Sequence, residues 1–260
     1  MPELPDVEVF RRYLESTSLH QAIGKVSVGA PDILEGVSAR SLQMRLKGRS
    51  FRSAFRHGKY LFVDVGGSDL LVLHFGMTGS LAYGRKDGGE ARHSRVLFLF
   101  RNGYLLSYVS VRKLGAVGMT VGVEKFREER GLGQDALALS SGEFRRLAAG
   151  RRGLVKCWLM DQSSMAGIGN VYSDEALFQA RIHPKRKVSD LDGKEVARLF
   201  RKMRHVLSAA IKRKADPAEM PRSFLLPRRT ENGKCPRCGG RVRTLRACGR
   251  TSFCCPGCQK

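Results

Sequence analysis

The end of the chain holds the feature that most limits what it can fold into. Cys235-Pro-Arg-Cys238 is followed after sixteen residues by Cys255-Pro-Gly-Cys258. Each C-x-x-C pair forms a knuckle that presents two thiolates, and four thiolates fill the tetrahedral sphere of a zinc ion. A filled sphere leaves no open position for a substrate. The spacing therefore predicts one structural zinc that staples a small hairpin. Arg241, Arg243, Arg246 and Arg250 lie between the pairs, where they can reach phosphates. Three further cysteines complete a count of seven: Cys157, Cys248 and Cys254. An odd number, with six crowded at one end, speaks against a disulfide framework and for a reducing compartment. Cys248 and Cys254 have no C-x-x-C partner and read as spectators.

Charge narrows the partner. Lys and Arg number 47 against 24 Asp and Glu, a formal +23 with a pI near 10.4. Such an excess repels itself and calls for a polyanion. Nucleic acid fits better than an anionic membrane surface, because no amphipathic basic helix lies near a terminus. No run of ~18 apolar residues is present to span a bilayer. The acidic start lacks an apolar signal core, so a cytoplasmic protein is expected. With 260 residues, 42% of them hydrophobic, the chain can build one large domain or two small ones.

The opening stretch, MPELPDVEVF, places Pro5 at the first position of a helix, with Asp6 and Glu8 in its first turn. Val7, Phe10 and Leu14 then form one apolar stripe, predicting a helix over 5–16. From Val26 to Val121 the pattern is β, with short runs such as YLFVDVGG and LLVLHFG. Asn102-Gly103 between two such runs predicts a hairpin with a type I′ turn. The alternation stops near 123, and a Gly-rich, charged linker is expected over 123–139. Beyond it the period is helical: Val196, Leu199, Phe200, Met203, Leu207 and Ile211 share a face, and Asp192 with Glu195 suggests a capping box. The expected organisation is a β-sandwich domain over 1–122, the linker, a helical domain over 140–228 and a zinc finger over 229–260.

Several motifs carry chemistry. If Met1 is removed, Pro2 becomes the terminus. Its secondary α-amine titrates near ~8 and is partly neutral at physiological pH. Such an amine can attack a sugar C1′ and form an iminium, with Glu3 and Asp6 beside it for proton transfer. A tidy helix start explains Pro5 but leaves Pro2 and Glu3 unexplained. In GIGNVYSDEALF, glycines precede Asn170 at a helix start, which suits either a phosphate or a plain helix–helix turn. Met77 in HFGMTGSL, and Arg112 with Leu114 in VRKLG, lie in loops between strands. There they either pack or act as wedges in a base stack. Lys59 in HGKYLF heads a strand, where a lysine usually faces solvent.

Taken in order, MPELPDVE, HGKYL, HFGMTGSL, GIGNVYSDEALF and CPRC…GRTSFCCPGCQK resemble the formamidopyrimidine-DNA glycosylase / endonuclease VIII family of base-excision repair enzymes. The resemblance spans nearly the whole chain. It implies an α+β multidomain fold: an N-terminal helix on a β-sandwich, a helix–two-turn–helix domain and a C-terminal zinc-finger β-hairpin. It implies a bifunctional DNA glycosylase and abasic-site lyase acting as a monomer on damaged double-stranded DNA. Pro2 would be the nucleophile and Glu3 the proton-transfer carboxylate. Lys59, Asn170 and Arg250 would grip phosphates, and Met77 would fill the gap left by the everted base.

This chain departs from the family pattern in three places. Asp6 stands where Glu is usual. Leu114 stands at an aromatic wedge position in the purine-specific branch, although Arg112 is kept. Only ten residues separate Phe224 from Cys235, where that branch carries a loop over the flipped base. The expected substrates are therefore formamidopyrimidines or oxidised pyrimidines, with weak action on 8-oxoguanine. The rival reading is a non-catalytic protein that binds damaged or abasic DNA with the same grip; the intact Pro2-Glu3 start argues against it.

Overall fold

The computed structural model describes residues 1–260 and divides into two compact units, Met1–Arg130 and Gly131–Lys260. The first opens with helix α1 (Leu4–Ser18), followed by β1 (Ile23–Val28), β2 (Leu34–Glu35), α2 (Ala39–Leu46), β3 (Ser53–His57), β4 (Tyr60–Asp64) and β5 (Leu70–His74). It continues through β6 (Gly79–Arg85), β7 (Ser94–Phe100), β8 (Tyr104–Ser110), β9 (Ala116–Thr120) and α3 (Val123–Glu129). The strands form two sheets, ordered β1-β7-β8-β6 and β2-β9-β5-β4-β3, antiparallel except where β2 meets β9. Their facing sides share one core that includes Phe51, Leu61, Leu73, Val96, Phe98 and Leu106. Each such side chain contributes about 1.5–3 kcal/mol on burial.

Helix α1 is tied to both sheets. Leu4, Val7 and Leu14 are fully buried, and Phe10 packs on Phe75 with ring centroids 4.5 Å apart. Tyr13 Oη accepts a hydrogen bond from Tyr83 N on β6 at 2.9 Å, and Glu8 lies 3.5 Å from Arg56 on β3. The helix start, and the residues before it, are thus fixed to the sandwich at several points. A chain terminus without such ties would fray.

Two local expectations are corrected. The β7–β8 hairpin exists, but Gly103 alone in its turn has positive φ, +83°. Its N–H donates to Phe100 O at 3.3 Å, as in a three-residue loop closed by a left-handed glycine rather than a type I′ turn. Asn102 is not in the left-handed region, and its side chain is engaged. Its Oδ1 accepts from Tyr104 N and its Nδ2 donates to Gln21. The segment after 122 is also not all linker. Phe126 of α3 is buried against Tyr60 and Phe62, an apolar anchor hidden by its charged neighbours.

The second unit contains β10 (Gln134–Asp135), α4 (Ser141–Ala148), α5 (Val155–Met160), β11 (Met165–Ala166), α6 (Asn170–Ala180), α7 (Gly193–Lys212), β12 (Arg243–Ala247) and β13 (Arg250–Cys254). The capping box at α7 is present: Glu195 N donates to Asp192 Oδ1 at 2.7 Å and Asp192 N to Glu195 Oε2 at 3.2 Å. Helix α6 is the hub, buried from Tyr172 through Ala180. The β12–β13 hairpin and the cysteine knuckles pack on it through Phe178, Leu225, Cys235, Val242 and Cys255. No helix is long and apolar enough to cross a membrane.

Candidate active site and nucleic-acid interface

Glu3 is the N-cap of α1, fully buried, with its carbonyl accepting the first helical bond from Val7 N at 3.0 Å. Its own N–H donates to Asp6 Oδ2 at 2.9 Å. Glu3 and Asp6 therefore form a capping box that fixes the direction in which the chain leaves the helix, through Pro2. Burial pushes the Asp6 carboxyl up to about 6, against the pull of the Glu3 N–H and with help from the Glu3 charge. A carboxyl titrating there can give or take a proton near neutral pH. Pro2 is half-buried and Met1 is 47% exposed.

Lys59 occupies the second position of the two-residue turn joining β3 to β4, after Gly58 at φ +56°. Glycine first is what such a tight hairpin requires. The turn sets Tyr60 opposite His74 of β5, and their rings lie 4.8 Å apart. His74 was not picked out from the sequence. Burial, then the nearby Lys59 charge, lowers it to about 4, so it is neutral at physiological pH. The only signal was a His beside a Lys-bearing turn across a strand pair, and pairing is invisible before the register is known.

The structure brings Met77, Arg112 and Leu114 together. Gly76, at φ +54°, leaves room where a Cβ would fall 2.2 Å from Leu114 O, so the two loops meet backbone to backbone. Arg112 N donates to Thr78 Oγ1 at 3.1 Å, and Arg112 Nη1 reaches Met77 Sδ at 3.3 Å. Met77 is 36% exposed and Leu114 51%, unusual for large apolar side chains beside an arginine. Lys113, between Arg112 and Leu114, takes φ +52°.

In the second unit, Asn170 is the first residue of α6 and its Nδ2 donates to Thr251 O of β13 at 3.1 Å. Its Oδ1 is buried without a hydrogen-bond partner. Gln162, another residue the sequence did not reveal, clamps the GIGN loop. It accepts from Gly167 N at 3.0 Å and donates to Ile168 O at 2.8 Å. Arg250 is exposed and opens β13 directly after the turn Cys248-Gly249.

Below this face lies a buried charge cluster, also unforeseen. Asp174 pairs with Lys156, both at 0% side-chain exposure. Its second oxygen accepts from Arg229 at 2.8 Å and from Phe253 N at 3.1 Å. One carboxylate thus joins α5, α6, the segment before the finger, and β13. Glu175 beside it accepts from Leu226 N at 2.7 Å, and burial raises its carboxyl to about 7. These bonds hold the short span from Phe224 to Cys235 against α6.

The four cysteine sulfurs of 235, 238, 255 and 258 all lie within 4.8 Å of one another. Cys235 and Cys258 are 3.8 Å apart, and Cys238 and Cys255 3.5 Å. A tetrahedron with metal–sulfur bonds of about 2.3 Å has edges of about 3.8 Å, so the donor set fits zinc. Arg237 N donates to Cys235 Sγ, and Gly240 packs against Cys238 Sγ. Cys254 stays outside the cluster, as expected. Cys248 is no spectator: it forms a disulfide with Cys157 across 91 residues. The sequence count failed because the partner lies in a helix far along the chain, which only the docking of the finger on the helices brings near.

Comparison with known proteins agrees with this arrangement. The formamidopyrimidine-DNA glycosylase N-terminal domain matches residues 1–117, and the formamidopyrimidine-DNA glycosylase H2TH domain matches 132–221. The chain is 34% identical to the formamidopyrimidine-DNA glycosylase of Heliobacterium modesticaldum and 32% to that of Pelotomaculum thermopropionicum, over all of this chain and 100% and 99% of theirs. Among solved structures it resembles the Lactococcus lactis enzyme non-covalently bound to DNA with an abasic site, with TM-score 0.90, 27% identity and 99% of each chain covered. It also resembles the L. lactis protein bound to DNA containing FAPY-dG, with TM-score 0.91, 26% identity and 99% and 100% covered. The two units and their cysteine cluster define a DNA-repair glycosylase. The chain belongs to the formamidopyrimidine-DNA glycosylase family.

Proposed function

We propose that the protein is a bifunctional DNA glycosylase and abasic-site lyase that acts on oxidatively damaged bases in duplex DNA. The observation that carries this reading is the tethered start of α1: Pro2 followed by a buried Glu3 whose N–H is held by an Asp6 titrating near 6. Once Met1 is removed, the Pro2 nitrogen attacks C1′ of an everted nucleotide. The bond to the base breaks and the base leaves with a proton. Pro2 gives up its N–H proton, the C1′–O4′ bond then breaks as O4′ takes a proton and the sugar ring opens, and the resulting iminium links Pro2 to C1′. The iminium draws electrons from the C2′–H bond, so loss of that proton expels the 3′ phosphate, and a second elimination expels the 5′ phosphate. Glu3 and Asp6 are the carboxylates within reach for these proton transfers.

Eversion costs a few kcal/mol, less for a damaged base. In this reading Met77 and Arg112 fill the vacated space, with Leu114 beside them. Lys59, Asn170 and Arg250 hold phosphates, and neutral His74 adds a hydrogen-bonding ring next to Lys59. The zinc held by Cys235, Cys238, Cys255 and Cys258 keeps the finger folded and takes no part in the chemistry.

The substrate follows from the short span before the finger. Its residues are bonded to Glu175 and Asp174, which supports the absence of a lid over a flipped purine. Formamidopyrimidines, oxidised pyrimidines and bare abasic sites need fewer contacts from a lid than 8-oxoguanine does. The test is borohydride trapping on abasic-site DNA, followed by single-turnover excision from matched duplexes. Trapping is expected, and it should vanish when Pro2→Gly is combined with a blocked terminus. Survival of trapping in that variant would end the Pro2 assignment. Fastest removal of 8-oxoguanine opposite cytosine would overturn the lesion preference alone.

A further inference from the structure

The Cys157–Cys248 disulfide is not required by the zinc site or by the chemistry at the first unit. Its placement is nevertheless specific. Ala247 pairs with Arg250, so Cys248-Gly249 is the complete turn of the β12–β13 hairpin. Both turn residues have positive φ, +55° and +67°, the type I′ arrangement that favours Asn or Gly. A cysteine in the left-handed region carries a steric cost that glycine escapes, because its Cβ crowds the following carbonyl oxygen. The chain bears that cost at the residue two before Arg250, and the side chain placed there is bonded to α5.

Three ties then fall along one side of the hairpin. Cys248 is bonded to Cys157 of α5. Thr251 O accepts from Asn170 Nδ2 at the start of α6. Phe253 N donates to Asp174, whose carboxylate also holds Lys156, the residue preceding Cys157. The two non-covalent ties flank the strand beyond Arg250. Only the disulfide holds the turn before it. Cys157 and Cys248 are each half-buried, within reach of a small reductant, whereas Asn170 and Asp174 do not respond to one.

We propose that the Cys157–Cys248 bond is a redox latch that positions Arg250 for phosphate, so that reduction weakens duplex binding while zinc stays bound. The inference rests on the reading of Arg250 as a phosphate grip. The reductant is a dithiol. One of its thiolates attacks a sulfur of the disulfide, giving a mixed disulfide and releasing the other cysteine as a thiolate. Its second thiol then attacks the mixed disulfide, closes a disulfide within the reductant and frees the remaining cysteine. Two protein thiols and one oxidised dithiol result, with two electrons moved to the protein. The turn then keeps its backbone shape but loses its anchor to α5, and Arg250 samples positions away from the Asn170 side.

The experiment uses the full-length, zinc-loaded protein and a duplex with a stabilised abasic site. Affinity is measured against salt before and after dithiol treatment, with zinc content determined on each sample. Oxidised protein should bind roughly three- to tenfold tighter, the scale of one ordinary hydrogen bond, because the reduced hairpin still reaches the phosphate part of the time. It should also show a steeper salt dependence, by up to about one unit of slope. Zinc should remain at one equivalent in both states. Cys157→Ser and Cys248→Gly, the latter suited to the left-handed turn, should bind like the reduced protein and ignore the dithiol. Arg250→Ala should bind weakly in both states, with the redox difference abolished.

Equal affinity of oxidised and reduced wild type, with Arg250→Ala still weak, would refute the latch and leave the grip intact. A dithiol response that persists in Cys157→Ser would also refute it, assigning the effect to the zinc thiolates. Arg250→Ala binding like wild type would remove the grip reading and the latch with it.

Discussion

Asp6 offers the sharpest test of the proposed catalytic end, because its environment opposes its charge. Its carboxyl is raised from 3.8 to about 6, chiefly by burial, despite the hydrogen bond it accepts from Glu3 N. Between pH ~4 and ~6 the folded protein therefore holds a proton there that the unfolded chain has lost. Stability must fall as pH rises through that window and stay low above it. Roughly two pKa units at ~1.4 kcal/mol each give a penalty of about 3 kcal/mol at pH 7.5. Asp6→Asn removes the titration and keeps an oxygen to accept from Glu3 N. The stability of the variant minus that of wild type should rise by about 2–3 kcal/mol between pH 4 and pH 7.5, then level off. Urea unfolding followed by far-ultraviolet circular dichroism measures this difference. The single tryptophan, Trp158, lies in the other unit and cannot report it. The pH–rate profile of strand cleavage should lose its inflection near 6 in the same variant. A stability difference that is flat with pH, or that shrinks as pH rises, would refute the reasoning.

Gly76→Ala should destabilise the first unit by at least about 1–2 kcal/mol and slow base excision more than it weakens binding to an abasic site. Its new Cβ would strike Leu114 O in a turn already at φ +54°, as read by unfolding and single-turnover rates. Asp174→Ala should cost about 3–5 kcal/mol, because it leaves Lys156 buried without its counter-charge, and Trp158 fluorescence in urea will report it. Cys255→Ser should reduce bound zinc from one equivalent to none and abolish duplex binding with it, measured by metal analysis and fluorescence anisotropy; retained zinc would contradict the four-thiolate set.

What was readable in the sequence shares a property: it depends on spacing within one element. The C-x-x-C pairs and the stripe of α7 with its Asp192–Glu195 box are local patterns, and each has its structural counterpart. The start of α1 is one residue off, because Glu3 caps the helix and Pro5 falls at its second position rather than its first. The failures are pairings between elements. Cys248 looked unpartnered because Cys157 lies 91 residues away, and His74 gained its meaning only when β5 paired with β4. Phe126 was passed over because a single apolar residue among Glu, Lys and Arg carries no period.

Helix α6 shows most clearly why local reading stops where it does. Tyr172, Ala176 and Ala180 recur four residues apart, one apolar row that by itself implies a polar face opposite for Ser173, Asp174, Glu175 and Gln179. All four of those residues are buried as well. A charged residue enters such a core only if its partners come with it. Here Lys156, Arg229 and two backbone N–H groups arrive from three other segments, and Gln179 meets Glu175 at 2.8 Å. An amphipathic period records which residues prefer to leave water. It does not record which polar groups will be met inside. In this protein those buried meetings join the helices to the finger, so the residues least legible as functional are the ones that hold Asn170 and the Arg250 hairpin in register.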